Sequence, residues 1–233
     1  MTRNRRRTQQ HELTFRTWGG TRKGAGRKRS SWRPRVPHVE RPRHEARIPL
    51  HVTLRIHEGL PSLRGNLVRA RIHRVFQDGR ERLGFRLSHF SLQSNHIHLI
   101  AEADDDGALS RGMKGLAVRV ARALNRLWKR RGSVFSDRFH SRPLRTPREV
   151  RSALVYVLHN ARHHGLRVMG VDPYSSGPWF DGWRQGTVLA GEGPAARART
   201  WLLREGWRRH GLIGIEEDPE RRRQTGRVRP ARG

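Results

Sequence analysis

The sequence predicts an α+β fold in which an antiparallel sheet carries helices on one face. Two kinds of periodicity lead to this prediction. Segments with apolar residues at every second position are typical of strands, and they alternate with segments that repeat every three or four residues, as helices do. Both kinds are confined to residues 48–165 of the 233-residue chain, which has room for one domain with extensions.

The first half of the periodic region predicts a strand, a helix and a second strand. Residues 50–56 and residues 83–87 alternate as strands. Between them, apolar residues recur at helical spacing until Asp78-Gly79 closes the helix with a turn. The apolar positions of this helix are Leu63, Leu67, Ala70 and Val75.

The second half predicts two more strands and two more helices. A strand around residues 96–102 precedes a helix whose N-terminus follows Asp104-Asp-Asp106, where anions match the helix dipole. Residues 134–144 are predicted as a fourth strand. Thr146-Pro147-Arg148-Glu149 has the pattern of a capping box and opens a last helix, which we expect to run to about His164. The order β-α-β-β-α-β is ferredoxin-like, with one helix added behind it.

The strand at residues 96–102 carries the most informative motif, Asn95-His-Ile-His-Leu-Ile-Ala-Glu102. Side chains of a strand alternate, so His96 and His98 share one face and Ile97 lies on the other. Two imidazoles side by side are half of a divalent-metal site. An isolated pair of this kind is more often two solvated histidines, so the motif needs support from elsewhere in the chain.

The last helix supplies that support. Tyr156 and Asn160 are four residues apart and therefore lie on one side of it, whereas His159 is turned away. A phenol held beside a metal site can act as a nucleophile towards a phosphate. Alone, such a tyrosine is more often part of a core.

The composition indicates a polyanionic partner. Fifty Lys and Arg against twenty Asp and Glu leave a formal charge of +30, which attracts nucleic acid. A GC-rich genome could explain the excess of Arg over Lys but not the shortage of acids.

The chain has no cysteine, no apolar leader and no run of membrane-spanning length, so we expect a cytoplasmic, nucleoid-associated protein.

The two ends differ in composition from the centre. Residues 1–47 hold fifteen Lys or Arg and three Glu, and we expect a disordered basic arm. The arm contacts DNA or is a solvated tail with non-specific affinity; its candidate contacts are Arg22, Lys23, Arg27 and Lys28. Residues 166–233 form a Trp- and Arg-rich extension with a charged tail. A basic helix is predicted there over residues 195–209, and it either packs on the catalytic domain or grips a DNA hairpin. We expect Trp179, Trp183, Trp201 and Trp207 to pack.

The predicted fourth strand mixes cations with aromatic residues. Arg138, His140 and Arg142 suit a phosphate track, and Phe135 and Phe139 could stack on unpaired bases. Core packing of the two phenylalanines is an equally good interpretation.

Four linked segments resemble the single-tyrosine, single-strand DNA transposases that carry a His-hydrophobe-His strand. They are the strand motif above, Ser110-Arg-Gly-Met-Lys-Gly-Leu116, Arg131-Gly-Ser-Val-Phe-Ser-Asp-Arg-Phe-His-Ser-Arg-Pro143 and Tyr156-Val-Leu-His-Asn160. Their order and spacing are most similar to those of the REP-associated tyrosine transposases, which act on repetitive extragenic palindromes. The resemblance covers residues 48–165.

This resemblance implies a mechanism. His96, His98 and Asn160 would bind Mg²⁺ or Mn²⁺, and Tyr156 would attack single-stranded DNA beside a hairpin to form a 5′-phosphotyrosine. The protein would act as a monomer or a homodimer. The chain departs from the family in one place, because Asn160 is followed by Ala161 where the family usually has proline, so the helix end can be shifted.

Two other functions fit the residues. The first is a non-catalytic or domesticated nucleic-acid-binding module, because RNA-recognition domains share the order of elements, although they place aromatic residues on the open sheet face. The second is a metal-dependent phosphodiesterase that uses water, with a structural Tyr156.

Overall fold

The computed structural model describes residues 43–186, 189 and 191–217. Two short 3-10 helices lie in the C-terminal part, at Gly177–Trp179 and Gly206–His210. The strands and α-helices follow one another as β1 Leu50–Arg55, α1 Asn66–Gly79, β2 Glu81–Arg82, β3 Phe85–Leu92, β4 His96–Ala103, α2 Asp106–Leu127, β5 His140–Pro143, α3 Pro147–Leu158, α4 Asn160–His163 and α5 Trp201–Arg204.

The strands form one antiparallel sheet in the order β2-β3-β4-β1-β5. Strand β2 has only two residues and extends the edge as a hairpin with β3. The remaining order, β3-β4-β1-β5, is that of a ferredoxin-like sheet, in which the first and third long strands are central. The predicted α+β fold class is therefore confirmed.

Helices α1 and α2 cover one face of this sheet and form the main core with it. Strand β4 contributes Ile97, Leu99 and Ala101 to this core, as its alternation predicts. The apolar face of α1 differs from the predicted one: Val68, Ile72 and Phe76 are buried, and Leu67 is 74% exposed. The sequence of α1 contains two overlapping apolar series, and the series that includes the large Phe76 side chain is the one that faces the sheet.

The helix ends follow the predicted signals. The Asp105 side chain accepts a hydrogen bond from the backbone N–H of Ala108 at the start of α2. Thr146 and Glu149 form a reciprocal capping box around Pro147 at the start of α3. None of the helices in the described part of the chain is long and apolar enough to cross a membrane.

Two predicted elements are less continuous than expected. The last helix is divided at His159 into α3 and α4. The fourth strand is reduced to β5, preceded by an isolated bridge between Ile56 and Phe135. Both Phe135 and Phe139 pack against the main core, which favours the core interpretation over base stacking.

The second face of the sheet is covered by α3 and by the C-terminal segment. A second apolar cluster joins them, and Trp183 and Trp207 are buried in it, so these two tryptophans pack as expected. The predicted helix over residues 195–209 is wrong, because only α5 and the 3-10 helix that follows are helical there. The main members of this cluster are Ile100, Leu144, Val150, Leu154, Phe180, Trp183, Leu203, Trp207 and Ile213.

Two predicted parts of the chain lie outside the described residues. They are the charged tail beyond residue 217 and the basic arm with its candidate DNA contacts Arg22, Lys23, Arg27 and Lys28. The division into an arm, a catalytic domain of residues 48–165 and an extension stays a prediction.

Glu102 anchors the irregular segment before α5 to the sheet. Its side chain is completely buried and accepts hydrogen bonds from the backbone N–H groups of Arg199, at 2.9 Å, and Thr200, at 2.8 Å. Arg86 Nε lies 3.4 Å from the same carboxylate. The backbone N–H groups of residues 199 and 200 thus bond to a side chain of β4.

Replacement of this carboxylate should destabilise the fold. Glu102→Leu leaves one buried and one partly buried N–H group without an acceptor and removes the carboxylate beside the buried Arg86, so we expect the free energy of unfolding to fall by about 3 kcal/mol. Urea unfolding measures this change. The control is Glu205→Leu, at an exposed position paired with the neighbouring Arg204, where we expect a change within about 0.5 kcal/mol. Equal effects of the two substitutions would contradict the anchoring role.

Candidate active site

The histidine pair of β4 lies on the covered face of the sheet, beneath α3. The rings of His96 and His98 are 4.7 Å apart, nearly perpendicular, and both residues are buried. The register of the sheet places Thr53 opposite His98 and Arg55 opposite His96. The structure therefore brings the pair together on one face, as the sequence predicts, and in a covered site rather than on a solvated face.

His98 is held by two side chains of β1. Its Nδ1 lies 3.1 Å from Nε2 of His51 and 3.2 Å from Oγ1 of Thr53, and the rings of His51 and His98 stack at 5.1 Å. The Nε2 atom of His98 is buried and has no hydrogen-bond partner among the described residues. A ring with one nitrogen fixed by a neighbour and the other available is typical of a metal-binding histidine.

His96 is oriented in the same way by the residue before it. Its Nδ1 lies 2.8 Å from Oδ1 of Asn95. Sequence reasoning missed His51 and Thr53 as members of the site. The signal was nevertheless present, because both alternate with the apolar residues of β1 and must face away from the main core.

Burial keeps the imidazoles of the site neutral. Desolvation, together with electrostatic repulsion from the adjacent His51 and His96, lowers the pKa of His98 to about 2. Desolvation is also the main reason why the pKa of His96 and the pKa of His51 are lowered to about 4. Neutral rings retain the lone pair that a metal ion needs.

Tyr156 extends from α3 towards this cluster. Its ring centroid lies 5.1 Å from that of His98 and 5.7 Å from that of His51, edge-on in both cases. The residue is half-buried. The structure thus places the predicted nucleophile against the histidine that has a free ring nitrogen.

Asn160 follows Tyr156 by one helical turn and is completely buried. Both its amide atoms lack hydrogen-bond partners in the described part of the chain. The next turn carries His164, whose ring lies 5.2 Å from that of His96. Since Tyr156 contacts His98 and His164 contacts His96, Asn160 lies between these two contacts and beside the histidine pair.

His159 points in the opposite direction, as predicted. Its Nε2 lies 3.1 Å from the carbonyl oxygen of Gly214 and 3.0 Å from that of Ile215, and its ring packs on Trp183. Arg151, one of the most buried side chains, pairs with Glu217 at 2.7 Å on the same side of the helix. The side of α3 and α4 that faces away from the histidine pair is therefore bound to residues 211–217.

The edge strand β5 places cations beside the site. Arg142 lies opposite His51 and His140 lies opposite Thr53, and both side chains are exposed. Both lower the pKa of His51 by electrostatic repulsion of its charged form. Arg138 lies in the connection before β5, where its N–H donates to the Asp137 carboxylate. The three candidate DNA contacts are thus grouped at one margin of the cluster.

The available donors fit a hard divalent cation only if amide oxygens are included. No group of three His, Asp or Glu side chains among the described residues is arranged to hold a metal ion. Glu102, on the same face of β4, is already occupied by its N–H donors. His96, His98 and Asn160 provide two imidazoles and one amide, and the unpartnered atoms of His98 and Asn160 are the ones a cation would satisfy.

Comparison with known proteins identifies one family. Residues 46–159 match the family described as "Transposase IS200 like". No curated protein is significantly similar to the chain. Among solved structures, a REP-associated tyrosine transposase bound to a REP hairpin is similar, with a TM-score of 0.49 and 13% sequence identity, over 60% of this chain and 82% of that one.

Proposed function

We propose that this protein, whose residues 46–159 match the IS200-like transposase family, cleaves and rejoins single-stranded DNA through a 5′-phosphotyrosine intermediate. The family itself indicates a function in DNA transposition. The observation that carries the finer proposal is the contact between Tyr156 and His98, at 5.1 Å between ring centroids. It places a phenol beside the one buried imidazole nitrogen of the pair that has no partner within the described residues.

The chemistry is a transesterification. The Tyr156 oxygen bonds to the phosphorus, the bond from phosphorus to the 3′ oxygen of the preceding nucleotide breaks, and that oxygen gains a proton as the phenol loses one. The phosphotyrosine conserves the energy of the broken ester, so a second DNA 3′-OH can reverse the step without ATP. Cleavage and rejoining then need only one nucleophile.

His96, His98 and Asn160 would hold the divalent cation that the family suggests in general, and we propose that this cation is Mg²⁺ or Mn²⁺. When bound, the ion would polarise the scissile phosphate and offset the charge of the transition state. His51 and Thr53 orient His98 through its Nδ1, and Asn95 orients His96, so both rings are fixed before an ion arrives.

The DNA strand would approach from the β5 margin. Arg142 is exposed there, next to the buried cluster of His51, His96 and His98, whose pKa values are all lowered, so the attraction for phosphate comes from the margin and not from the cluster. His140 lies at the same margin. We include Arg138 in this path. The arm residues Arg22, Lys23, Arg27 and Lys28 would add non-specific affinity, and a hairpin or palindromic repeat would be the duplex part of the substrate.

The structure disfavours the RNA-recognition alternative. Such modules bind bases on an open sheet face, whereas here α3 and the C-terminal segment cover that face. Phe135 and Phe139 pack on the opposite core rather than on this face.

Replacement of the phenol tests the nucleophile. Tyr156→Phe keeps the ring contacts with His98 and His51 but removes the attacking oxygen, so we expect the covalent protein–DNA adduct to fall at least about a thousandfold while DNA binding persists. A denaturing gel with labelled single-stranded DNA and Mn²⁺ measures the adduct.

The matched control is Tyr174→Phe, which removes the hydroxyl group that donates to Asn66. This variant should form the adduct normally. If Tyr156→Phe forms the adduct and Tyr174→Phe does not, the nucleophile is Tyr174. If the parent protein cleaves DNA without forming any adduct, the protein is a phosphodiesterase that uses water.

Removal of the imidazoles tests the metal site. His96→Ala and His98→Ala should each abolish cleavage, and EDTA should do the same to the parent protein, because both rings belong to the proposed ligand set. His210→Ala, at an exposed histidine of the C-terminal 3-10 helix, serves as the control. Undiminished cleavage by the double variant His96→Ala/His98→Ala would refute the site.

Strandedness provides a further test. The cluster lies beneath α3, so a phosphate that reaches Tyr156 must come from a strand that is not held in a duplex. We expect cleavage of single-stranded DNA beside an imperfect hairpin to be at least about a hundredfold faster than cleavage of the same sequence as a perfect duplex, which should bind without being cut. Comparable rates on the two substrates would indicate an ordinary duplex nuclease.

A further inference from the structure

Gln93 is a buried polar residue that neither the family resemblance nor the mechanism above uses. It follows β3 directly, and its backbone N–H donates to the carbonyl oxygen of His96 at 2.9 Å, which pairs the two residues across the hairpin. Phe90 and Leu92 of β3 lie in the main core. Because side chains alternate, Ser91 and Gln93 face the opposite side, which is the side of the histidine pair.

The Gln93 side chain is held on that face by Ser91. Its Nε2 donates to the Ser91 hydroxyl oxygen at 2.6 Å, and Ser91 lies in register with His98 on the adjacent strand. Directly opposed residues of an antiparallel pair have their side chains in contact distance. The carboxamide is therefore confined beside both histidines of the proposed metal site.

The carboxamide oxygen of Gln93 is left without a partner. The residue is only 2% exposed, and Oε1 is buried with no hydrogen bond to any described residue. Buried polar atoms are normally satisfied, and those that are not call for an explanation. Two other residues of this region, His98 and Asn160, also have buried polar atoms without partners.

These unpartnered atoms come from three parts of the chain that lie on the face of the sheet with the histidine pair. His98 belongs to β4, Asn160 begins α4, and Gln93 directly follows β3, whose neighbour in the sheet is β4. The lone pairs of an imidazole nitrogen and of carboxamide oxygens share one chemical property, since each can bind a cation. Coordination of one cation would satisfy an atom of each residue.

We infer that Gln93 supplies an oxygen ligand to the divalent cation that His96, His98 and Asn160 would hold; this inference rests on the proposed function. Mg²⁺ and Mn²⁺ prefer oxygen donors, and a site of two imidazoles and a single amide has few of them. Gln93 adds a second amide oxygen from the sheet, opposite the helix that carries Asn160. It thereby increases the proportion of oxygen atoms among the ligands, which favours the binding of these hard cations.

Manganese binding to the full chain tests this inference without reliance on catalysis. The free Mn²⁺ concentration is followed by electron paramagnetic resonance during titration of the parent protein, Gln93→Met and Gln93→Glu. Methionine has a similar length but no oxygen, so we expect affinity to fall by about tenfold or more. Glutamate retains the oxygen and adds a negative charge, so we expect affinity above that of the parent.

Gln77→Met is the matched control, because Gln77 is exposed on α1 and lies on the other side of the sheet. It should bind Mn²⁺ as the parent does. Circular dichroism establishes that each variant is folded, and if Gln93→Met is not, the increase expected for Gln93→Glu carries the test alone. Weaker binding by Gln93→Glu would show that the amide N–H is the functional group and would overturn the inference.

Two further outcomes separate this inference from the proposed function. Unchanged affinity in Gln93→Met, together with lost affinity in His98→Ala, would overturn the role of Gln93 and leave the His96–His98 site in place. A parent protein that binds no more Mn²⁺ than His98→Ala would overturn the metal site itself and the inference with it.

Discussion

The structure depends on the burial of both faces of β4. The face with Ile97, Leu99 and Ala101 packs on the two large helices, as in any two-layer α+β domain. The other face carries His96, His98 and Glu102, and it is buried too. Polar side chains can be buried only where partners exist, and each of these three has a different solution. Glu102 accepts hydrogen bonds from backbone N–H groups of the C-terminal segment. The Nδ1 atom of His96 contacts Asn95, and the Nδ1 atom of His98 contacts two residues of β1. The atoms that remain unpartnered are concentrated where chemistry is proposed.

The position of Tyr156 follows from how α3 is held on its other side. The capping box at Thr146 fixes where the helix begins, and Arg151 forms a buried ion pair with Glu217. His159 and Arg162 bind carbonyl groups of residues 214–215. Because the rear of α3 and α4 is tied to the C-terminal segment by three side chains, the front is fixed against the sheet. The segment from 199 to 217 therefore connects Glu102 of β4 to the helix that covers it, and it links the two halves of the site.

The sequence was informative where a periodic or capping pattern is local. The alternation of β4, the Asp105 and Thr146 caps and the opposite directions of Tyr156 and His159 were all predictable from residues within a few positions of one another. The apolar face of α1 was not, since two series of apolar residues compete there and only the tertiary packing decides between them. His51, Thr53 and Gln93 were missed for a related reason. Alternation shows which face of the sheet each of them occupies, but their importance depends on which residue of β4 each of them faces, and that follows from the pairing of the strands.

The charge of the chain and the neutrality of its site are complementary. A formal charge of +30 draws phosphate towards the protein over a long range, but a cluster of protonated imidazoles would repel the divalent cation that the mechanism needs. Burial resolves this conflict, because desolvation lowers the pKa of His98 to about 2 and the pKa of His96 to about 4, well below neutral pH. The permanent cations, including Arg142, stay at the exposed margin, where they can meet a phosphate backbone without occupying the site. The covering of the sheet by α3 and the C-terminal segment thus has an electrostatic consequence as well as a structural one: it separates the surface that attracts DNA from the neutral donors that would bind a metal ion.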